Sequence, residues 1–287
     1  MVNYTLATAA ILEQAKQEEE MLPLRNAQCR SRFYFHNRPT EVVCLFFHGF
    51  TAGPYQFEPL AKACYDAGYN VLIPRLPGHG QAGDWNWRQP PPLPTDPAVY
   101  QRAVAEWVGI AKMLGDRLVV GGLSTGGTLA AWSALNYPHL VDRALLFAPF
   151  MGARFGWVDE LIKHLPIYFE WFNKNASGNF GYKGFRLPAL KLFLKMRDRC
   201  FKQVHRRPAP PMLMVCSEAD QVTSRQKQQQ FFQSAVRYQP QSWYYSFDKR
   251  YKIRHRMMTR IEGNRYEDLV VNLAKAYISQ VEQEEEC

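Results

Sequence analysis

A serine in a glycine-rich turn is the residue of this chain best placed to act as a nucleophile. The segment Gly122-Leu123-Ser124-Thr125-Gly126 has the pattern G-x-S-x-G. Residues 117–123 read as a buried strand, and residues 125–135 have the composition of a helix. A strand that turns at once into a helix strains the central residue and presents its hydroxyl, while the glycines leave space for the turn. The pattern therefore predicts a nucleophile at Ser124.

Two other interpretations of this turn stay open from the residues alone. One is an ordinary connection between a strand and a helix. The other is a phosphate-binding loop at a helix N-terminus, although a P-loop requires a Lys after the glycines and none follows here.

A nucleophilic serine needs a histidine to accept its proton and a carboxylate to orient that histidine. After a turn of this kind the order along the chain is serine, acid, histidine. Residues 212–216 predict a buried strand, so we expect the acid in the loop that follows it. Asp220 is the predicted acid, and Glu218, which lies nearer to the strand, is the alternative.

The histidine follows by elimination. The histidines after Ser124 are His139, His164, His205 and His255. Of these, only His255 lies beyond Asp220, in the loop after the last predicted strand, which makes it the predicted base. The other interpretation is a surface residue between Arg254 and Arg256.

The reaction also needs two backbone N–H groups that stabilise an oxyanion. One is expected at Thr125, directly after the nucleophile, and the other at Phe50, in the loop after the predicted strand at residues 41–47. In that loop, His48 is interpreted as a buried structural residue rather than a second base. The rings of Phe50 and Tyr55 are candidates to line an apolar substrate pocket, with ordinary core packing as the alternative.

Strands and helices alternate along most of the chain and would position these residues. The predicted strands are residues 30–36, 41–47, 70–76, 117–123, 144–147, 212–216 and 243–247. The predicted helices are residues 4–21, 59–67, 98–114, 125–135, 224–236 and 266–281. This rhythm predicts an α/β fold with a mostly parallel sheet flanked by helices and with ligands beyond the carboxyl ends of the strands.

Residues 151–207, which we call the cap segment, interrupt that rhythm and predict a mainly helical insertion over the strand ends. The expected organisation is an N-terminal extension at residues 1–28, a core at residues 29–150 and 208–287, and this cap. Residues 151–210 carry twelve Lys or Arg against four Asp or Glu, a surplus of 12 − 4 = 8 within a net charge of +9.

One predicted cap helix carries a basic stripe, Lys191, Lys195, Arg199 and Lys202, opposite an apolar side. A solvated face is the ordinary interpretation of such a stripe. The alternatives are attraction of anionic substrates and weak contact with an anionic lipid surface. Nucleic acid is not expected as a partner, because no aromatic residues interleave the stripe.

Composition excludes several classes of protein. The chain has 287 residues, of which 47% are hydrophobic, which excludes disorder and provides a sizeable core. Its longest apolar run, residues 42–47, is far too short to cross a bilayer. The first twenty residues hold four Glu and one Lys, unlike a signal peptide, so we expect a cytoplasmic protein with its six cysteines reduced.

Four motifs together resemble the α/β-hydrolase superfamily, and within it the bacterial carboxylesterase and monoacylglycerol lipase group. They are His48-Gly49-Phe50-Thr51-x-Gly53, Pro74-Arg75-Leu76-Pro77-Gly78-His79-Gly80, Gly122-Leu123-Ser124-Thr125-Gly126-Gly127 and Asp220-Gln221-Val222. The resemblance is strong over residues 41–149, weaker from residue 211 onward and negligible in the cap segment. Thr223 and the basic surroundings of His255 depart from the family's pattern.

The resemblance implies a serine esterase with Ser124, Asp220 and His255 as its triad and Phe50 and Thr125 as oxyanion donors. The predicted function is cleavage of small-molecule acyl esters through an acyl-serine intermediate, with no metal or cofactor. A thioesterase or acyltransferase with the same triad is the alternative, as is a non-catalytic binding protein that uses the basic cap.

Overall fold

A computed structural model describes residues 3–172, 176, 178–206, 208–237 and 241–280 of the chain. Its centre is a seven-stranded sheet in the order β1-β3-β2-β4-β5-β8-β9. These strands are β1 (Arg32–Tyr34), β2 (Thr40–Phe47), β3 (Asn70–Ile73), β4 (Gly115–Leu123), β5 (Val141–Phe147), β8 (Met212–Ser217) and β9 (Trp243–Phe247). All neighbouring strands are parallel except the edge strand β1, which pairs antiparallel with β3.

Helices cover both faces of the sheet, as predicted. They are α1 (Tyr4–Met21), α2 (Glu58–Asp66), α3 (Pro97–Lys112), α4 (Thr125–Asn136), α5 (Gly156–His164), α6 (Leu187–Val204), α7 (Arg225–Val236) and α8 (Glu267–Ser279). Alternate residues of β2 enter opposite clusters: Val43 packs with apolar residues of α3, α4 and α7, and Cys44 with those of α2 and α8. This alternation explains why β2 is apolar almost throughout, since a parallel strand is buried on both faces.

Local signals in the sequence account for several element boundaries. The Asp96 side chain accepts a hydrogen bond of 2.9 Å from the Ala98 N–H at the start of α3, next to Pro97. Gly68, with φ 96°, takes the left-handed conformation just after α2, where the sequence predicts a stop.

The register of the sheet brings the carboxyl ends of its central strands to one level. Phe47 of β2 pairs with Gly122 of β4, and Leu123 of β4 pairs with Phe147 of β5. Phe147 in turn pairs with Val215 of β8. The loops that carry the predicted site residues therefore leave the sheet along the same edge.

The cap segment contains α5, α6 and a two-stranded antiparallel sheet of β6 (Tyr168–Glu170) and β7 (Gly184–Arg186). Sequence analysis predicts a mainly helical insertion and misses this hairpin, because strands of three residues leave too short a pattern. In the basic stripe of α6, Lys195, Arg199 and Lys202 are exposed and Lys191 is half-buried. The opposite side of the helix is buried among core residues that include Phe193 and Met196.

Cys29, Cys44, Cys64, Cys200 and Cys216 are buried free thiols. Cys287, the predicted helix end at residue 281 and the predicted cap end at residue 207 lie outside the described residues. Within the described ranges, none of the helices has the length and apolarity needed to cross a membrane.

Candidate active site

Ser124 stands between β4 and α4 in a strained backbone conformation, with φ 58° and ψ −118°. Its two flanking glycines are needed for close approach of the chain. A Cβ atom on Gly122 would lie 2.1 Å from the Gly126 carbonyl oxygen, and one on Gly126 would lie 2.0 Å from the Phe47 carbonyl oxygen. The turn therefore has the geometry that the G-x-S-x-G pattern predicts, and its strain is of the kind found at functional sites.

Backbone hydrogen bonds hold this turn against the neighbouring strand. The Ser124 N–H donates to the Phe147 carbonyl at 3.0 Å, and the Ser124 carbonyl accepts from the Phe150 N–H at 2.9 Å. Ser124 is 8% exposed, so it is buried apart from a small part of its surface.

Asp220 lies in the loop after β8 and accepts several hydrogen bonds. Its Oδ1 accepts from the Val222 N–H at 2.7 Å, and its Oδ2 accepts from the Thr223 hydroxyl at 2.6 Å. Oδ2 also lies 2.9 Å from His255 Nδ1. Burial acts to raise the pKa of Asp220, but the charge and hydrogen bond of His255 and the donors of Thr223 and Val222 outweigh it, so this pKa lies below its ordinary value. An ionised carboxylate beside a ring N–H is the arrangement that orients a catalytic imidazole.

The alternative acid, Glu218, faces elsewhere. Its carboxylate pairs with Arg225 at 2.8 Å and accepts from the Lys249 N–H at 3.3 Å, on the exposed side of the loop. The structure thus brings Asp220, and not Glu218, to His255.

His255 follows β9 in an irregular segment, and its side chain is 15% exposed. This segment is bonded to the end of β8, just before the acid loop, since the Ser217 hydroxyl donates to the Ile253 carbonyl. His139, His164 and His205 are exposed on other parts of the surface.

The predicted oxyanion donors lie on the two loops that leave β2 and β4. Thr125 begins α4, where helix N–H groups point outward without a partner in their own helix. Phe50 lies in the loop after β2, in which the Gly49 N–H donates to Gln56 Oε1 at 2.8 Å. Thr51 takes φ 61°, a second strained non-glycine position beside the site.

His48 has the buried structural role predicted for it. Its Nδ1 bonds the Gly49 carbonyl at 2.9 Å, and its Nε2 accepts from the Leu76 N–H at 3.1 Å, so neither ring nitrogen is left for a substrate. Burial, together with the nearby His79, lowers the pKa of His48 well below the usual imidazole range. Burial also lowers the pKa of His79, to about 4.

Phe50 and Tyr55, the predicted pocket residues, both meet the cap segment. The Phe50 ring packs edge-on against Phe185 at 4.8 Å and Phe193 at 5.7 Å between ring centroids. Tyr55 packs against Phe180 at 5.1 Å and donates its hydroxyl to Glu262 at 3.0 Å. Phe50, Tyr55, Phe185 and Phe193 are all buried, so these rings pack the core against the cap segment, which is the alternative interpretation of Phe50 and Tyr55.

Comparisons with known proteins agree with this arrangement. The family model described as the α/β hydrolase fold matches residues 43–251, which is most of the chain. The chain belongs to the α/β-hydrolase fold family.

Particular members of this family resemble the chain in part. A thermostable monoacylglycerol lipase from Bacillus sp. (strain H-257) is 38% identical over 108 residues, which span 38% of this chain and 40% of the relative. A structure of a metagenome-derived lipolytic enzyme covers 88% of this α/β-hydrolase with a TM-score of 0.71 at 17% identity, and 98% of its own chain is matched. A soluble variant of the monoglyceride lipase from Saccharomyces cerevisiae, in complex with a substrate analogue, covers 88% with a TM-score of 0.68 at 15% identity and is matched over 91% of its chain. At these identities the two structures support the fold.

Three side chains of this α/β-hydrolase contact the site and were not predicted from sequence. Thr223 donates to Asp220, and Gln228 Nε2 donates to the Thr223 hydroxyl at 2.9 Å and to the Pro149 carbonyl at 2.9 Å. Because an amide Nε2 only donates, the Thr223 hydroxyl accepts from Gln228 and directs its own proton to Asp220. In the sequence, the departure of Thr223 from the family's pattern was the signal that could have identified this contact with Asp220. The third side chain, Glu262, gave no local signal.

Proposed function

We propose that this protein is a serine hydrolase that cleaves carboxylic esters through an acyl-Ser124 intermediate. The observation that carries the proposal is the contact of 2.9 Å between His255 Nδ1 and the buried carboxylate of Asp220. The strained Ser124 follows a strand that ends at the same edge of the sheet. A carboxylate on Nδ1 leaves His255 Nε2 available to exchange a proton with the nucleophile.

The reaction then proceeds in two halves. His255 Nε2 accepts the hydroxyl proton as Ser124 Oγ attacks the ester carbonyl carbon, and the Phe50 and Thr125 N–H groups stabilise the resulting oxyanion. The C–O bond to the alcohol breaks, and His255 returns the proton to the departing oxygen. Water, deprotonated by His255, attacks the acyl-serine, and the acid is released as Ser124 regains its proton.

The proposed substrates are esters with an apolar acyl chain, of the monoacylglycerol type. The partial likeness to a monoacylglycerol lipase supports this substrate class. We propose that residues 151–207 form the cap over this site and residues 29–150 and 208–287 the core.

The cap also presents a surface suited to weak contact with anionic lipid. Several large apolar side chains in it are exposed: Phe155, Trp157, Leu161, Ile167 and Phe172. A segment with both exposed apolar groups and a basic stripe has the two features that bind a membrane surface, apolar burial and attraction to anionic headgroups.

The proposal is tested with a panel of p-nitrophenyl esters of increasing chain length, run beside monoacylglycerol and thioester substrates. We expect ester cleavage, and labelling by a fluorophosphonate probe at Ser124 alone. Ser124→Ala removes the nucleophile, so turnover should fall at least about a thousandfold while the melting temperature stays close to that of the native protein. Ser133→Ala, at a buried serine within α4, is the matched control and should keep both labelling and turnover.

Retained turnover in Ser124→Ala, or labelling at another residue, would refute the serine mechanism. Faster turnover of the thioester than of every oxygen ester would shift the assignment to a thioesterase, and acyl transfer to an added alcohol in preference to water would shift it to an acyltransferase.

A further inference from the structure

Glu262 is a buried carboxylate that the hydrolytic mechanism above does not use. It ends a short 3-10 helix, Arg260–Glu262, and its side chain is 1% exposed. A buried carboxylate is costly unless hydrogen bonds and charges compensate it. Burial outweighs the charge of Arg256 and the hydrogen bonds from Gln56 and Tyr55, so the pKa of Glu262 lies above its ordinary value. The groups that compensate it in part come from two different loops of the site.

The first of these loops carries the predicted oxyanion donor. Gln56 Nε2 lies 3.0 Å from each carboxylate oxygen of Glu262, and the Tyr55 hydroxyl donates to Oε1 at 3.0 Å. Through its other end, Gln56 Oε1 accepts the Gly49 N–H at 2.8 Å. Gly49 directly precedes Phe50, so Glu262 reaches the peptide before the oxyanion donor through a single side chain.

The second loop carries the predicted base. Arg256, directly after His255, has its Nε 3.8 Å from Glu262 Oε1. The Glu262 N–H donates to Thr259 Oγ1 at 3.3 Å, and the Met257 N–H bonds back to the His255 carbonyl at 3.0 Å. The carboxylate therefore belongs to the same compact segment as the base.

We propose that Glu262 is a positioning residue that ties the His255 segment to the oxyanion loop through Gln56 and Gly49. The proposal rests on the function proposed above. The hydrogen bonds that run from Glu262 through Gln56 to Gly49, which we call the relay, set the distance between the imidazole that moves the proton and the N–H group that stabilises the oxyanion. Both groups act in the same transition state, and small displacements of such groups lower the reaction rate by large factors.

The atoms of the relay require an acceptor at this position. Gln56 uses its oxygen for the Gly49 N–H, so it can present only its Nε2 hydrogens to residue 262. A carboxylate accepts from Gln56 and from the Tyr55 hydroxyl together. An amide at residue 262 has one oxygen and would place its own N–H₂ group against one of these donors. Because Gln56 Nε2 contacts both oxygens, Glu262→Gln keeps the shape of the side chain and sets its N–H₂ group against Gln56 in either orientation, which disturbs the relay.

The test measures kcat and KM of Glu262→Gln, Gln56→Leu and the double variant on one short neutral ester, with active enzyme counted by complete fluorophosphonate labelling. We expect kcat per labelled serine to fall roughly ten- to hundredfold in each single variant, because the relay acts on groups that matter most in the transition state. KM should stay within about twofold. Since both changes break one relay, the double variant should be no slower than the slower single variant.

An alkyl trifluoromethyl ketone provides a second measurement, because its adduct with a serine carries an oxyanion. Its binding should weaken by about the same factor as kcat falls. The matched control is Asp268→Asn, an exposed carboxylate of the same region that contacts Arg260, and it should retain native kcat.

Native kcat per labelled serine in Glu262→Gln, with only a lower melting temperature, would show a purely structural role and overturn the inference. Losses that multiply in the double variant would overturn the coupling between the two side chains. If the native chain itself neither cleaves esters nor reacts at Ser124, the proposed function fails instead. Gln56→Leu carries the test if Glu262→Gln does not fold.

Discussion

The core and the cap segment differ in how far the residues proposed to have a function are exposed. In the core, Ser124 and Asp220 are buried, and the carboxylate of Asp220 is surrounded by donors. In the cap, Trp157 is 64% exposed and Phe172 is 98% exposed, with no core to cover them. The buried groups of the core are the ones that the proposed chemistry uses, and the exposed apolar groups of the cap segment are the ones on which the proposed lipid contact rests.

The two regions are nevertheless joined next to the acid. Ala153, at the start of the cap segment, forms an antiparallel bridge with Thr223. The buried carboxylate of Asp159 in α5 pairs with Arg197 of α6 at 2.8 Å and with Lys227 of α7 at 2.6 Å. Asp159 thus links both cap helices to a core helix that also carries Gln228.

The largest effect on turnover is expected from His255. If this effect were absent, the catalytic groups would not all lie in the core. His255→Ala removes the proton acceptor, so turnover should fall at least about a thousandfold, close to the loss in Ser124→Ala, because members of a triad act as a unit. Ester hydrolysis by purified variants measures this. The control is His205→Ala, at an exposed histidine of the cap segment, which should keep native turnover. If turnover fell strongly in His205→Ala and only slightly in His255→Ala, the base would lie in the cap segment.

The residues that could be predicted from sequence are those with a local pattern. Ser124 follows from glycine spacing between a strand and a helix, and Asp220 from its place just after a buried strand. Glu262 and Gln56 were missed because they are 206 positions apart in the chain, and neither has a motif of its own. The β6–β7 hairpin was missed because its strands have only three residues each.

A stability effect of intermediate size is expected where cap and core join. Asp159→Asn leaves Arg197, whose side chain is 7% exposed, without its buried partner, and breaking a buried pair costs about 3 kcal/mol. Urea unfolding should therefore show a lower free energy of unfolding. Asp198→Asn removes the 53% exposed partner of the same arginine and should change that free energy by less than about 0.5 kcal/mol. Equal changes in the free energy of unfolding of the two variants would mean that the buried ion pair stabilises the protein no more than the exposed one.

The ion pairs of Asp159 also predict that the free energy of unfolding depends on pH. Burial acts to raise the pKa of Asp159, but hydrogen bonds from Lys227, the Ala153 N–H and Arg197 outweigh it and hold this pKa below its ordinary value. A carboxyl with a lowered pKa in the folded state adds stability above its unfolded pKa, near 3.9, and loses it as pH falls further. The gap in unfolding free energy between native protein and Asp159→Asn should therefore shrink below about pH 4.

The smallest effect is expected from the basic stripe. Changing Lys191, Lys195, Arg199 and Lys202 together to Gln should leave turnover of a short neutral ester unchanged, because these side chains lie opposite the buried side of α6. If the stripe attracts anionic lipid, cleavage of a monoacylglycerol in anionic vesicles should slow several-fold at low salt. That difference should shrink near 0.5 M salt, where the Debye length is roughly 4 Å. Equal losses on both substrates would mean a destabilised helix, whereas no loss on either would leave the stripe as a solvated face.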